Sequence, residues 1–229
     1  MPKLAIKCID SWKKYCPDYE LKLWNEDNFN LNLYPYAKEA YESRKFAFVT
    51  DVVRLYALYN EGGIYMDTDV EVLKPLDDLL HLSAFSGYES NKGTTFPTGI
   101  MASAKGGIWV KEQLDYYNNR HFIKLDGTPD LTTNAQIITD IMVANGFVLS
   151  GKYQVYKNDM HAFPTDYFCP KTSTGVLKLT ANTYCIHHFA GSWVEKSLKD
   201  KAKLFIFRKI FSPKITDFFI RLKRKMQKK

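Results

Sequence analysis

The chain has 229 residues, of which 45% are apolar and 25% are charged, a balance that allows one α/β domain with a hydrophobic core. It lacks an apolar run long enough to span a membrane and an N-terminal apolar stretch typical of a secretory signal, so we expect neither element. The net charge of +7 is uneven: residues 196–229 carry 13 Lys or Arg and 2 Asp or Glu, whereas residues 1–195 carry 19 and 23.

Hydrophobic periodicity predicts a helix over residues 3–15, and alternation of apolar and polar residues predicts a strand over 19–24. The clearest long helix covers residues 46–60 and ends at Gly62-Gly63, after which residues 64–66 form a short buried strand. Further helices are predicted at 36–43, 107–118 and 132–144, and further strands at 84–88, 99–102, 153–156 and 183–189. This mixture indicates a layered α/β domain over residues 1–195, followed by a tail over 196–229.

The segment Asp67-Thr68-Asp69 follows the short buried strand directly. In extended chain, residues two apart point to the same side, which places the two aspartates about 6.6 Å apart at Cα on one face. Ligands of open α/β sheets bind at the carboxyl ends of strands. Two carboxylates there suit a hard divalent cation such as Mg²⁺ or Mn²⁺, whose remaining positions substrate phosphates can fill.

Residues 46–76 resemble the sugar-binding region of the D-x-D glycosyltransferases, a family that includes bacterial capsule and lipopolysaccharide enzymes, the yeast initiating mannosyltransferase and, more remotely, the glucosylating clostridial toxins. The shared pattern consists of Asp51, Arg54, Leu58, Gly62, Gly63, Tyr65, Asp67 and Asp69. The resemblance extends over about residues 3–195. It implies a GT-A-like, Rossmann-like α/β fold with a mixed central sheet, to which the C-terminal helical tail is added. The first strand typical of similar sequences is not found here.

The resemblance also implies the site residues. Asp51 and Arg54 share a helix face, and their counterparts contact hydroxyls of the donor sugar; the alternative is an ion pair on the helix surface. Asp51, Arg54, Asp67 and Asp69 are the catalytic candidates. Gly63 and Tyr65 are further donor-binding candidates, although Tyr65 could stack on the nucleotide base or pack in the core. Asn134, at a predicted helix start, is a donor-binding candidate or an ordinary N-cap.

A second part of the site is predicted at Tyr184–Trp193, which includes two adjacent histidines before a Gly-Ser-Trp sequence. Adjacent residues of a strand point to opposite faces, so one histidine alone can reach a given cation. On the family pattern we expect His188 to complete the metal site with Asp67 and Asp69, and Ser192 and Trp193 to contact the donor. The alternative is a polar strand end with Trp193 as a core anchor.

The tail over 196–229 combines apolar residues at helical spacing with many Lys and Arg residues. This pattern is typical of an amphipathic helix on an anionic membrane surface, and it predicts a cytoplasmic, peripheral protein at the inner face of the membrane. Packing on the domain or on a partner chain is an alternative. We do not expect nucleic-acid binding, because the tail is rich in Phe and Ile and no known reader fold is present.

These observations predict a Mn²⁺- or Mg²⁺-dependent glycosyltransferase, and the resemblance implies retention of the anomeric configuration. The expected reaction moves a hexosyl unit from a nucleoside diphosphate sugar, with UDP-hexose favoured, to a glycan or lipid-linked glycan in surface polysaccharide synthesis. The alternatives are an inactive, membrane-docked glycan-binding or scaffold protein and a glycoside hydrolase. A hydrolase would use two carboxylates as acid and nucleophile without a metal.

Overall fold

A mixed five-stranded sheet forms the centre of the protein in the computed structural model, which describes residues 1–89, 99–172 and 175–191. The α-helices are α1 (Lys3–Tyr15), α2 (Pro35–Glu42), α3 (Phe46–Glu61), α4 (Ile108–Asp115), α5 (Asn134–Ala144) and α6 (Thr165–Phe168). The strands are β1 (Gly63–Met66), β2 (Val70–Val72), β3 (Ala84–Gly87), β4 (Ile100–Ser103), β5 (Gln154–Tyr156), β6 (Met160–Phe163) and β7 (Cys185–His187). Two 3₁₀ turns lie at Leu31–Leu33 and Asp77–Leu79.

The sheet has the order β1-β4-β3-β6-β5, in which β3 and β6 are parallel and the other neighbours are antiparallel. Strands β2 and β7 form a separate antiparallel pair, which we call the β2–β7 ribbon. The α/β class with a mixed central sheet is therefore confirmed. The GT-A-like arrangement implied by the resemblance agrees with this architecture.

Two hydrophobic clusters pack on opposite faces of the sheet, because neighbouring residues of a strand point to opposite sides. Met101 joins the first cluster, with the apolar faces of α2, α3, α4 and α5. Its neighbours Ile100 and Ala102 join the second cluster, with the β2–β7 ribbon and α6. The described residues contain no helix with the length and apolar character needed to cross a bilayer.

The reversal between α3 and β1 sets the position of the aspartate pair. Helix α3 buries Val52, Leu55 and Leu58 and ends at Gly62, whose φ of 77° lies in the left-handed region that favours glycine. A Cβ at Gly62 would also lie 2.8 Å from the backbone nitrogen of Lys105. Glycine therefore permits the tight return into β1, at whose carboxyl end Asp67 follows.

Helix α1 packs along the edge of β2 that faces away from β7. The Trp12 indole N–H donates to the Val70 carbonyl at 2.7 Å, and the Val72 N–H donates to the Ser11 hydroxyl at 2.9 Å. Side chains of a helix thus satisfy backbone groups that a further strand would otherwise pair.

The strand predicted over residues 19–24 is wrong, since the structure has irregular chain there. Its alternating apolar residues Leu21 and Leu23 are 47% and 76% exposed, so burial of one face does not stabilise a strand there. The strand predicted over 183–189 is shorter than expected and covers Cys185–His187.

Candidate active site

The aspartate pair lies where β1 and the β2–β7 ribbon meet. Asp67 follows the carboxyl end of β1 and donates its backbone N–H to the Gly99 carbonyl at 2.8 Å. Asp69 immediately precedes β2, and its carbonyl accepts the backbone N–H of His188 at 3.0 Å. In the ribbon, Val70 is the direct partner of His187. Strand pairing therefore brings His187 to the two aspartates, although more than 100 residues separate them in the sequence.

Each aspartate uses one carboxylate oxygen for a contact with the protein and turns the other toward His187. Asp67 Oδ1 accepts a hydrogen bond from the Tyr65 hydroxyl at 2.5 Å, while Oδ2 lies 3.9 Å from His187 Nε2. Asp69 Oδ2 accepts the backbone N–H of Ala190 at 2.7 Å, while Oδ1 lies 3.4 Å from the same Nε2. The protein contacts thus orient both carboxylates around one point.

Asp67, Asp69 and His187 offer three ligand atoms that all lie within 4.8 Å of one another. Two carboxylate oxygens and an imidazole nitrogen form a donor set suited to Mn²⁺ or Mg²⁺, and three protein ligands leave positions for substrate oxygens. The hydrogen bond and charge of His187 lower the pKa of Asp69 against the effect of burial, and the same contact raises the pKa of His187. The residues present therefore fit a divalent cation.

His188 lies on the other face of the ribbon, so the sequence-based choice of His188 as metal ligand has to be corrected to His187. His188 Nε2 lies 2.8 Å from Glu71 Oε2, and its Nδ1 lies 3.1 Å from Lys171 Nζ. Because an ammonium group can only donate, Nδ1 accepts a hydrogen bond from Lys171, and the Nε2–H group donates one to Glu71 Oε2. Lys7 also contacts Glu71, at 2.7 Å. We call His188, Glu71, Lys7 and Lys171 the closed network, since both imidazole nitrogens have protein partners.

Gly99 supports His187 from the side of β4. A Cβ added to Gly99 would lie 2.8 Å from His187 Nδ1, so glycine allows the imidazole to pack directly against the backbone. The ring of Phe189 lies 4.2 Å away, centroid to centroid. Gly99 and the Ala190 N–H were not among the residues predicted for the site. For His187, the available sequence signal was the alternation of side chains along a strand, which places the two histidines on opposite faces.

Asp51 and Arg54 form a buried ion pair behind Asp67. Their residues are 8% and 6% exposed, and Arg54 Nη2 lies 3.0 Å from Asp51 Oδ1, which excludes the alternative of an ion pair on the helix surface. Arg54 Nη1 also reaches Asp67 Oδ1 at 3.6 Å. Burial raises the pKa of Asp51 to about 6, although the Arg54 guanidinium opposes this rise. The pair thus connects the core of the helical layer to the aspartates.

Tyr65 lies between Arg54 and Asp67. The Arg54 guanidinium covers its ring, 4.4 Å from the centroid, and its hydroxyl binds Asp67. Arg54 therefore occupies one face of the Tyr65 ring, and the Tyr65 hydroxyl makes its hydrogen bond to the Asp67 carboxylate. The structure places Tyr65 as a support for Asp67.

The remaining sequence-predicted residues have different positions. Asn134 is the first residue of α5, whose N-cap is Thr133, and its buried amide lies close enough to Asp51 to oppose part of the rise in pKa that burial causes there. Gly63 begins β1 and pairs with Ser103, at the end of the strand opposite to Asp67, so the structure does not bring it to the site. Its φ of 106° instead serves the turn after α3. Ser192 and Trp193 lie outside the described residues.

Comparisons with known proteins find a matching family model for the first part of the chain. Residues 2–86 match the family model described as "Glycosyltransferase sugar-binding region containing DXD motif". The resemblance inferred from the sequence is thereby confirmed for this part of the chain.

Individual proteins are similar over parts of the chain. Inositol phosphoceramide mannosyltransferase 3 of Schizosaccharomyces pombe is 38% identical over 103 residues, which are 43% of this chain and 27% of that protein. Toxin Afp18 of Yersinia ruckeri is 30% identical over 141 residues, which are 57% of this chain and 6% of the toxin. The solved structure titled PaToxG Glycosyltransferase superposes with a TM-score of 0.46 at 19% identity and covers 64% of each chain. The chain therefore spans about a quarter of the yeast relative and a small part of the toxin.

Proposed function

We propose that this chain is a metal-dependent glycosyltransferase, because residues 2–86 match the model of the DXD-containing glycosyltransferase sugar-binding region. It transfers a hexosyl unit from a nucleoside diphosphate sugar to an acceptor hydroxyl. The observation that carries this proposal is the cluster of Asp67 Oδ2, Asp69 Oδ1 and His187 Nε2, with the buried Asp51–Arg54 pair directly behind it.

One set of side chains serves the diphosphate of the donor, and another set serves its sugar. Asp67, Asp69 and His187 would hold Mn²⁺ or Mg²⁺, which would neutralise the negative charge that develops on the leaving diphosphate. Tyr65 and Arg54 contact Asp67 Oδ1, which leaves Oδ2 on the side of His187 free to bind a cation. Asp51 accepts hydrogen bonds from hydroxyls of the donor sugar, and Arg54 adds positive charge near the sugar-phosphate bond. We propose retention of configuration and assign no protein nucleophile.

The arrangement of the carboxylates favours transfer over hydrolysis. A glycoside hydrolase needs one carboxylate as acid and another as nucleophile or base, on opposite sides of the scissile bond. Here Asp67 and Asp69 face one imidazole together, 3.9 and 3.4 Å from its Nε2, which suits a shared cation. Hydrolysis of a glycosidic bond is therefore the less favoured reaction, and the experiment below tests for it.

The central experiment is a calorimetric titration of UDP and GDP with and without Mn²⁺. It compares wild type with Asp69→Asn and with Asp115→Asn, a control that alters an exposed aspartate paired with Lys111. We expect one nucleotide to bind in the presence of Mn²⁺, with affinity reduced on the order of 100-fold in Asp69→Asn and unchanged in the control. A folded wild type that binds neither nucleotide would overturn the proposal and favour a glycan-binding protein. Metal-independent release of sugar from a glycoside would favour the hydrolase.

For the acceptor we propose a glycan or lipid-linked glycan in surface polysaccharide synthesis. A second candidate is an inositol-containing sphingolipid, because the S. pombe relative is named for inositol phosphoceramide. Mass spectrometry after incubation with UDP-glucose or GDP-mannose and each acceptor separates the two. A mass gain of one hexose on the sphingolipid alone would replace the first candidate by the second.

We also propose that the tail over residues 196–229 holds the protein at the inner face of an anionic membrane. Its excess of Lys and Arg supports this proposal. Sedimentation with vesicles containing phosphatidylserine should be lost when residues 199–229 are deleted, and uncharged vesicles serve as the control. Unchanged sedimentation of the shortened chain would refute the proposal.

A further inference from the structure

A groove lined by aromatic side chains lies on the face of the central sheet that carries the second hydrophobic cluster. It has a volume of about 470 Å³ and opens to solvent, and this size is typical of ligand sites. Among the described residues that line it, four are aromatic and one is a histidine: Tyr153, Phe163, Tyr167, Tyr184 and His81. Leucine and proline side chains complete the lining. We call this feature the aromatic groove, and none of these residues belongs to the candidate active site.

The four aromatic rings form one continuous wall. The ring centroid of Phe163 lies 5.3 Å from that of Tyr153 and 4.7 Å from that of Tyr167. The Tyr167 centroid in turn lies 6.1 Å from that of Tyr184. Phe163 and Tyr184 are each 8% exposed and anchor the wall in the second cluster, whereas Tyr153 is 52% exposed. Because the Tyr153 hydroxyl lies 2.7 Å from His161 Nδ1, the exposed ring is held in place for a ligand.

The charge and polarity of the aromatic groove define the chemistry of its ligand. Among the described residues that line it, none is Lys, Arg, Asp or Glu. Its polar side-chain groups are tyrosine hydroxyls and the His81 imidazole, which can donate and accept hydrogen bonds. Such a lining complements an uncharged ligand that has both apolar surface and hydroxyl groups. It offers no lysine or arginine to a phosphate group or to an anionic membrane.

A sugar chain has this combination of properties. The C–H faces of a sugar ring are apolar and pack on aromatic rings, while the hydroxyls at its edge bind polar groups or water. An acyl chain has no hydroxyl groups and would cover the polar groups of the aromatic groove without binding them. Among uncharged ligands, a glycan therefore fits the aromatic groove better than a lipid tail does.

The β2–β7 ribbon relates the aromatic groove to the candidate active site. The Leu73 N–H donates to the Tyr184 carbonyl at 2.8 Å, which continues the pairing of the two strands by one residue. Tyr184 precedes β7, whose last residue is His187, so the two lie about 10 Å apart at the rise of an extended strand. The aromatic groove is therefore separate from the position of the donor sugar, but it lies within reach of a chain of several sugar units.

We propose that the aromatic groove binds uncharged sugar units of a glycan acceptor, beyond the unit that receives the hexosyl group. The role of this glycan as acceptor rests on the proposed function, whereas its binding in the aromatic groove does not require the donor site. A proline-rich peptide is another ligand of aromatic-lined grooves, and the experiment includes it as an alternative.

The test measures binding of neutral hexasaccharides of glucose, mannose, galactose and N-acetylglucosamine by calorimetry, with decaproline as the peptide probe. It compares wild type with Tyr153→Ala, which removes the exposed ring, and with Tyr153→Phe, which keeps the ring. Tyr59→Ala is the matched control, because the half-buried Tyr59 packs against the first hydrophobic cluster, on the other face of the sheet. Asp69→Asn separates the aromatic groove from the donor site. Urea denaturation of each variant shows that it is folded.

At least one hexasaccharide should bind wild type in the absence of nucleotide. Its affinity should fall about tenfold in Tyr153→Ala, because stacking on the ring is lost. It should stay within about twofold of wild type in Tyr153→Phe, Tyr59→Ala and Asp69→Asn, and saturating UDP or GDP with Mn²⁺ should not displace the sugar. In transfer to this hexasaccharide, Tyr153→Ala should raise KM about tenfold and leave kcat unchanged.

Four results would overturn the inference. They are binding of no hexasaccharide by folded wild type, equal affinity in wild type and Tyr153→Ala, displacement of the hexasaccharide by nucleotide, and binding of decaproline in its place. An unchanged KM in Tyr153→Ala would refute the acceptor role. A wild type that binds a hexasaccharide at Tyr153 but no nucleotide would refute the proposed function and leave the aromatic groove as a glycan site, so the two failures are distinguishable.

Discussion

Each face of the β2–β7 ribbon carries a histidine beside carboxylates, but the two faces differ in which charged groups surround the histidine. On one face, His187 meets Asp67 and Asp69, and each aspartate directs one oxygen toward the imidazole without a protein cation between them. On the other face, His188 meets Glu71, and Lys7 and Lys171 complete the closed network. Under the proposed function, the face of His187 would bind a divalent cation, whereas on the face of His188 the two lysines already supply positive charge to Glu71 and the imidazole.

The largest difference between the two faces is expected when each histidine is removed in turn. His187→Ala should lower Mn²⁺ affinity on the order of 100-fold, because one of three protein ligands is lost. His188→Ala should change it less than about threefold, since that imidazole binds Glu71 and Lys171. Free Mn²⁺ measured by electron paramagnetic resonance during titration gives both values. Equal losses in the two variants would mean that the ribbon acts as a unit and that its faces are not distinct.

A smaller effect is expected from Gly99→Ala, which places a methyl group against the His187 imidazole. The added Cβ would lie 2.8 Å from Nδ1, so the ring must move and Mn²⁺ affinity should fall about tenfold. The control is the same substitution in the His187→Ala background, where it should have no effect on Mn²⁺ affinity. An equal loss in both backgrounds would show that Gly99 acts on the backbone of Asp67 and not on the imidazole.

The smallest effect on the metal is expected from Glu71→Gln. This change removes the negative charge of Glu71 from the closed network. The free energy of unfolding should fall by about 1 kcal/mol, because Lys7 and His188 lose a charged partner. Mn²⁺ affinity should remain within about twofold of wild type. Urea denaturation and metal titration supply the two measurements, and Glu61→Gln, which alters an exposed pair with Lys22, is the control. A large loss of metal affinity without a loss of stability would contradict the division between the faces.

The proximity of Asp67 to Asp69, and of Asp51 to Arg54, could be predicted from the sequence because both relations are local. Alternation in extended chain places Asp67 and Asp69 together, and the helical repeat places Asp51 beside Arg54. The choice between the histidines was wrong because local geometry only states that they differ. Lys7 and Lys171, which decide the matter, come from distant parts of the chain.

The same distinction explains the other differences. Gly63 belongs to the family pattern, but its position at the start of β1 follows from the pairing with Ser103. The residues of 19–24 alternate as a strand would, yet no neighbouring strand pairs with them.

The contacts of α1 with β2 have a further consequence for association between molecules. A strand whose outer N–H and C=O groups are unpaired is a template for strands of other chains, and short ribbons are weakly stable by themselves. The Trp12 indole and the Ser11 hydroxyl occupy such groups at Val70 and Val72. Detachment of this one helix would therefore expose a hydrophobic, pairing-competent edge next to Asp67 and Asp69, so that loss of the proposed activity and the onset of aggregation would be expected to begin together.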